Sequence, residues 1–366
     1  MKRGFAFGLL TLALLSCAVL GGCRKQAAQT GSVTPVQGDG KTLRLFIWSE
    51  YIDPQVVKNF EKQFGARVIT DTYESNESML AKLAGGGSNY DLAVPSNYAV
   101  PGMIRAGLLR KLDKTLLPNL KNMGNLFPRL DYDPGGVYSV PYQFAATGLA
   151  YRRDRSTPDP RAWSLIFGPS DTLSFVLLDD PREVIGAALK YLGHSVNTSS
   201  VAELRSARDL LRRVVAKRGF RGFDGGPGTR NQLLAGSVDY GQIYVGDLLI
   251  ATEENPNVQV FLPREGTTIS LDTLVVLKSS RNAELAHRFI DYVLQPKVGA
   301  AISNFTYYST PNLAAKPYLS ELLKNTPALN PPPKDFQNGK LEFIGELQGN
   351  RTRRIYDRIW TELKSR

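Results

Sequence analysis

Cysteine is nearly absent. The chain of 366 residues has two, Cys17 and Cys23. Both lie near the N-terminus, so no disulfide framework can staple residues 24–366, which must rely on an apolar core. Histidine is as scarce, with His194 and His287 alone. Neither has a Cys or His partner at metal-ligand spacing, so no metal site is expected. His287 falls on a helical pattern and reads as a surface or packing residue. A phosphate-binding Gly-Lys-Ser/Thr loop is missing. Gly85-Gly86-Gly87-Ser88 lacks the lysine and reads as a helix stop, and Gly225-Gly226-Pro227-Gly228 reads as a loop. There is no Gly-x-Ser-x-Gly elbow. With so few nucleophiles and bases, the chain reads as a non-enzyme with no cofactor. Lys and Arg exceed Asp and Glu by 11, yet they are scattered, with short clusters at Arg152-Arg153, Arg212-Arg213 and 351–354. No basic stripe carries interleaved aromatics, so nucleic acid is not an expected partner.

The N-terminus carries a targeting pattern. Lys2 and Arg3 precede an apolar run from Phe5 to Leu15, too short for a membrane span. Leu20-Gly21-Gly22-Cys23 comes next and resembles a bacterial lipobox, which predicts cleavage after residue 22 and acylation of Cys23. Leu14-Leu15-Ser16-Cys17 is a poorer match, and an ordinary secretory signal is the alternative. Residues 23–40 then read as the lipidated Cys and a polar, flexible tether. No later run is apolar enough to cross a membrane. These features predict a protein held by lipid at the periplasmic or extracytoplasmic face of the membrane.

Residues 41–366 suffice for two lobes, each with a core. Strand-like and helix-like segments alternate, which predicts a mostly parallel α/β layer architecture. Leu43 to Trp48 reads as a buried strand. Asp53-Pro54 starts a helix that Gly65 ends. Further strands are expected at 66–70, 90–95, 174–178, 239–244, 258–262 and 271–277, and extended segments at 137–142 and 145–151. Helices are expected at 77–83, from Asp179-Asp180-Pro181 onward, at 201–216, at 283–294 and at 351–363, the last burying Ile355, Ile359 and Leu363.

Aromatic and acidic residues recur just after the expected strand ends. They stand at Trp48-Ser49-Glu50-Tyr51, at Ser96 and Tyr98, at Asp179-Asp180 with Glu183, at Tyr244 with Asp247, at Asp272, and at Tyr307-Tyr308. A single such acid is usually a cap or turn residue. In an open α/β sheet, however, ligands bind outside the carboxyl ends of strands. Converging there, these residues would form a box of rings with carboxylates at its ends. Such a box suits an alkyl ammonium, whose methylenes pack on ring faces and whose charge meets both rings and acids.

Several of these pieces resemble the spermidine/putrescine-binding proteins of bacterial ABC importers. The likeness lies in Trp48-Ser49-Glu50-Tyr51, Tyr73-Glu74-Ser75-Asn76-Glu77, Tyr90 to Tyr98, Tyr138-Ser139-Val140-Pro141-Tyr142, Asp179 to Val184 and Ser309 to Ala315, and spans nearly all of 41–366. The resemblance implies a two-lobed periplasmic binding protein-like fold of type II, with the ligand cleft between the lobes. It implies a first lobe of 41–146 plus 272–317 and a second of 147–271 plus 318–366. It implies that Trp48 and Tyr51 wall a polyamine, with Ser49 and Glu50 at the same edge. Ser96 and Tyr98 would add a hydroxyl and a ring, Asp180 and Glu183 would hold one ammonium, Asp272 an inner amine, and Tyr308 would cover the ligand. Asp247 matches an acid of the putrescine-preferring branch.

Three positions depart from the family pattern. Tyr244 and Phe144 stand where the family has Trp, and Ser270 stands where spermidine binders have another. The first two keep rings, and Ser270 removes a wall. The expectation is therefore a binding protein that delivers putrescine or spermidine to the permease and ATPase subunits of an importer. Another organic cation, ferric iron through Tyr307-Tyr308, or an anion are the alternative solutes. An enzyme on a two-lobed scaffold is the remaining alternative.

Overall fold

A computed structural model describes residues 38–365, apart from 74, 86–88, 124–130, 156–160 and 330–332. The expected leader, Cys17, the expected acylation site Cys23 and most of the expected tether lie outside these residues. Residues 38–40 are already pinned to the folded body, with Gly38 N donating to Arg281 O at 2.8 Å and Gly40 N to Asn282 Oδ1 at 2.8 Å.

The first run forms β1 (Thr42–Trp48), with Leu43, Leu45, Phe46 and Ile47 buried. Asp53 caps α1 (Pro54–Phe64) by accepting from Gln55 N, Pro54 sits in the first turn, and Gly65 ends it at φ 61°. This is the expected use of Pro and Gly at the two ends of a helix. β2 (Arg67–Tyr73), α2 (Asn76–Ala84), β3 (Leu92–Ala93) and the short α3 (Val100–Arg105) come next. The two extended segments expected at 137–151 are one 14-residue strand, β4 (Ser139–Arg152). A short α4 (Ser164–Phe167) leads to β5 (Phe175–Leu178), α5 (Pro181–Tyr191), α6 (Val201–Val215) and β6 (Phe220–Asp224). The glycine-rich run expected as a loop instead opens α7 (Gly226–Leu234). Then come β7 (Tyr240–Tyr244), α8 (Val245–Glu254), β8 (Val258–Phe261), β9 (Thr267–Val276), α9 (Ala283–Val293) and α10 (Pro296–Thr306). The C-terminal part adds α11 (Glu321–Asn325), α12 (Pro333–Gln337), β10 (Leu341–Phe343) and α13 (Gly349–Lys364). On α13, Ile359 and Leu363 are buried as expected, but Ile355 is only half-buried and Tyr356 takes the core position.

The strands join in the order β2-β1-β3-β9-β4-β7-β5-β6, with β10 on β9 and β8 on β4. The ends are parallel, β1 with β2 and β3, and β5 with β6 and β7. The centre is antiparallel, β9 with β3 and β4, and β4 with β7 and β8. The sheet is therefore mixed, not mostly parallel. β4 is the reason: residues 139–146 pair with β9, and 147–152 pair with β7 and β8. One long strand thus runs from one parallel half to the other.

Each half has its own apolar interior. One gathers Leu45, Phe60, Leu92, Leu274, Val276 and Phe289. The other gathers Trp163, Leu177, Val184, Leu211, Tyr240 and Tyr356. His287 is buried on α9, donating from Nδ1 to Ala283 O (2.7 Å) and accepting at Nε2 from Asp113 N (3.0 Å). With both ring nitrogens in use, it is a packing residue and not a surface one. Among the described residues no helix is long and apolar enough to cross a membrane.

Candidate functional site

Trp48 is the last residue of β1, and the three residues after it turn at the strand's carboxyl end. Glu50 makes that turn at φ 54°, a left-handed conformation uncommon outside glycine. Ser96 and Tyr98 follow β3. Asp180 caps α5 after β5, its Oδ1 accepting from Arg182 N at 2.7 Å and Glu183 N at 3.2 Å. Tyr244 ends β7, and Asp247 sits in the first turn of α8. Asp272 lies within β9 and bridges to Ser96. Tyr308 follows α10, after Tyr307 closes that helix at φ 60°.

These positions converge. Trp48, Ser49, Glu50, Tyr51, Ser96, Tyr98, Asp180, Glu183, Tyr244, Asp247, Asp272 and Tyr308 all line one cavity of about 440 Å³. Ser270 also lines it. So do Leu178, Ile250, Phe305 and Ile344, apolar residues that the sequence pattern did not flag. Trp48 is the only tryptophan lining it among the described residues.

Asp272 is held from two sides. Ser96 Oγ donates to Oδ1 and Tyr51 Oη to Oδ2, each at 2.7 Å. Asn76 braces this corner, donating to Ser96 Oγ at 3.1 Å and to Tyr98 Oη at 2.7 Å. A carboxylate keeps spare lone pairs after two such bonds, so Asp272 can still accept from a ligand. Burial pushes its carboxyl up to about 6, Asp180 adds to this, and the two hydroxyl donors oppose it.

Glu183 is fully buried, and its Oε2 accepts from the hydroxyls of Thr147 (2.7 Å) and Thr268. Burial, and then the neighbouring Asp180, raise its carboxyl. Burial raises Asp180 as well, against the helix N–H groups and Arg182. Asp247 rises to about 7, mainly through burial, with Glu50 adding, while Arg230 and a hydrogen bond to Tyr308 oppose. The cavity therefore concentrates carboxyl groups whose charge is poorly supported by the protein alone. A cation is what would support it.

The rings form a connected wall. Trp48 packs on Tyr73 with centroids 4.6 Å apart, and its Nε1 donates to Val94 O at 2.9 Å. Tyr51 meets Tyr308 edge-on at 5.0 Å. Tyr244 Oη approaches Asp180 Oδ2 at 3.5 Å. The hydroxyls of Tyr307 and Tyr308 turn to different acids, Glu253 and Asp247. They do not form the paired ligand that iron would need.

Three supporting roles escaped the sequence reading. Thr147 and Thr268 fix Glu183, and no motif marks them. Gly226 is required because a Cβ there would lie 1.6 Å from Asp247 Oδ2. Gly246 is required because a Cβ would meet the Tyr308 ring at 2.6 Å and Tyr307 O at 2.9 Å. The glycine-rich run at 225–228 was the visible signal, and its value lies in closeness to Asp247. Asp179 also lines the cavity but is engaged by Lys364 Nζ at 2.7 Å.

Known proteins resemble this chain over most of its length. Residues 55–331 match the bacterial extracellular solute-binding protein family. A putrescine/cadaverine-binding protein of Pseudomonas aeruginosa is 35% identical over 337 residues, covering 88% of this chain and 94% of that protein. The spermidine/putrescine-binding periplasmic protein of Escherichia coli is 34% identical over 330 residues, covering 89% and 92%. Among solved structures, the TpPotD lipoprotein of Treponema pallidum superposes with a TM-score of 0.79 at 30% identity, covering 89% of this chain and 100% of that one.

Proposed function

Since the chain belongs to the bacterial extracellular solute-binding proteins, we propose that it captures a di- or polyamine such as putrescine or spermidine and hands it to an ABC import permease. The observation that carries this reading is the convergence of acids and rings from distant parts of the chain on one cavity. Asp180, Glu183, Asp247 and Asp272 would receive ammonium groups. Each charge-assisted hydrogen bond is worth about 1.5–3 kcal/mol. Trp48, Tyr51, Tyr244 and Tyr308 would enclose the alkyl stem, and each ring facing an ammonium adds about 0.5–2 kcal/mol. After association costs, such a sum fits micromolar binding, near about −8 kcal/mol.

In this reading the lobes comprise 41–146 plus 272–317 and 147–271 plus 318–366. Support comes from the two separate apolar interiors and from the change of partners along β4 between residues 146 and 147. The ligand would draw the lobes together because it touches acids of both, Asp272 on one and Asp180, Glu183 and Asp247 on the other. It would leave unchanged, with no turnover. An acyl anchor on Cys23 would keep the protein at the membrane face where the permease opens. The lipobox-like sequence supports this part, as does the likeness to a solved lipoprotein.

Calorimetric titration with putrescine, spermidine and spermine tests the reading. At least one should bind with a dissociation constant in the micromolar range or below. Absence of binding by all three at neutral pH would refute it.

A further inference from the structure

A second feature lies away from the cavity, where α6 packs against α13. A groove of about 260 Å³ runs between these helices. Its floor is apolar, with Val201 and Ile355 half-buried at the surface above the buried Leu204 and Ile359. Its walls are arginines: Arg205 and Arg208 from α6, and Arg351, Arg354 and Arg358 from α13. On α13 these recur at i, i+3 and i+7, so they share one face. Arg208 is neutralised by Asp209 at 3.0 Å and lies 3.8 Å from Glu362. The acid nearest the start of α6, Glu203, faces His194 at 3.9 Å. Among the described residues, Arg205, Arg351, Arg354 and Arg358 make no ion pair with an acid of this chain. All four are exposed.

Four like charges around one apolar floor repel one another, and no ion pair within the described residues offsets this. An external anion would turn that repulsion into attraction. Guanidinium groups pair with phosphate through two parallel N–H donors. A row of them on two neighbouring helices matches a plane of phosphates better than a single ion. The apolar floor suits the glycerol and upper acyl carbons just below a headgroup.

We infer that the α6–α13 groove is a docking face for the anionic headgroups of a phospholipid bilayer. This rests on the membrane-facing part of the proposed function and not on the polyamine part. An anchor at Cys23 would not choose which face meets the bilayer, since the 14 residues 24–37 can reach as far as about 50 Å. The groove would make that choice, laying α6 and α13 against the membrane.

The test uses the folded body from residue 38 onward, a compact unit by itself, so that no acyl chain contributes. It is sedimented with vesicles of phosphatidylglycerol and phosphatidylcholine, and with vesicles of phosphatidylcholine alone. Binding is expected only to the anionic vesicles, and to weaken as salt rises. The variant Arg205→Gln/Arg351→Gln/Arg354→Gln/Arg358→Gln should bind at least about tenfold more weakly, because surface charges near an anionic membrane contribute additively. Its thermal midpoint should equal or exceed the parent's and its heat with putrescine should match, which separates this outcome from misfolding and from the fate of the polyamine reading. Equal binding to both vesicle types, or full binding by the variant, would overturn the inference. So would capture of a polyglutamate peptide with no response to anionic vesicles, because the face would then be built for an acidic protein.

Discussion

The guanidinium of Arg182 lies over the ring of Tyr98 at 5.4 Å and over that of Tyr356 at 5.2 Å. Tyr98 follows β3, whereas Arg182 and Tyr356 belong to the half built on β5, α5 and α13. One cation thus contacts rings from both halves of the molecule. Its Nη1 donates to Gly345 O at 2.8 Å and its Nη2 to Asn197 Oδ1 at 3.3 Å, so its position is fixed from the second half. Tyr98 is both a cavity wall and a partner in this contact. A cation–ring contact contributes about 0.5–2 kcal/mol. Arg182→Met should therefore weaken diamine binding about 2- to 30-fold and shift small-angle scattering of the loaded protein towards a more open form. An unchanged profile and affinity would mean that the contact does not favour closure.

Asp272 offers a cleaner separation of charge from shape. Asp272→Asn keeps the size and can still accept from Ser96 or Tyr51, but removes the negative charge. Binding of putrescine should fall at least about tenfold, since a hydrogen bond to a charged group is worth about 1.5–3 kcal/mol. Stability of the ligand-free protein should hold or rise, because a poorly supported buried carboxylate is gone. Titration calorimetry and thermal unfolding read the two effects independently.

The raised carboxyls give a pH dependence with a defined sign. An unfolded Asp titrates near about 3.9, whereas in the fold Asp272 titrates at about 6 and Asp247 at about 7. Between the unfolded and folded values the folded state holds more protons. The ligand-free protein should therefore lose stability as pH rises from about 4 through 7. An ammonium ligand prefers the ionised acids, so binding should release protons and tighten over the same interval. Calorimetry in two buffers of different ionisation heat, near pH ~6.5 and so between the two folded values, should give different apparent enthalpies. Identical heats would show that these acids are already ionised before the ligand arrives.

Gly226→Ala probes a position with no functional group. The added methyl would collide with Asp247 Oδ2, and the carboxylate must swing away from Tyr308 to admit it. Affinity should drop roughly tenfold, the scale of one charge-assisted bond, with a smaller change in stability. Asp247→Asn in the same background should cost little more, since the two substitutions act on one group.

Trp48 should report occupancy. Its ring lines the cavity while Trp163 is buried in a core and Trp360 packs with Phe223. Putrescine should change the intrinsic fluorescence of the parent. The change should vanish in Trp48→Phe, although that variant still binds, several-fold more weakly. A signal that survives would point to a movement near another tryptophan.

Much of the site was legible because its residues obey a local rule. Trp48 to Tyr51, Asp180 with Glu183, and Tyr244 with Asp247 each follow a strand that its own apolar run marks. Asp180 is also a helix-start residue, which sequence recognises well, whereas the helix that carries Asp247 was not expected. The missing parts are those whose role is set by a distant neighbour. Thr147 and Thr268 sit within strands and look like ordinary sheet residues until the Glu183 carboxylate is brought to both. The Gly226 run resembled a loop because nothing in its local sequence announces Asp247. The merged β4 escaped because the two expected segments stop at Tyr142 and resume at Ala145, and only pairing of residues 143–146 with β9 joins them.

By itself the sequence determined the N-terminal targeting pattern, the scarcity of catalytic groups, most strand positions, six of the helices, and the set of rings and acids at strand ends. These follow from periodicity, capping and composition, which act over a few residues. Tertiary structure decided that the twelve residues meet in one cavity, because only the pairing of β9 and β4 with both halves carries Asp272 towards Tyr51 and Ser96, more than a hundred residues away in the chain. It also decided the protonation of the acids, because burial is a property of the assembled fold and not of any segment. The arginines of α6 and α13 belong to the same category: ordinary surface charges in sequence, they become one basic groove only once the two helices pack.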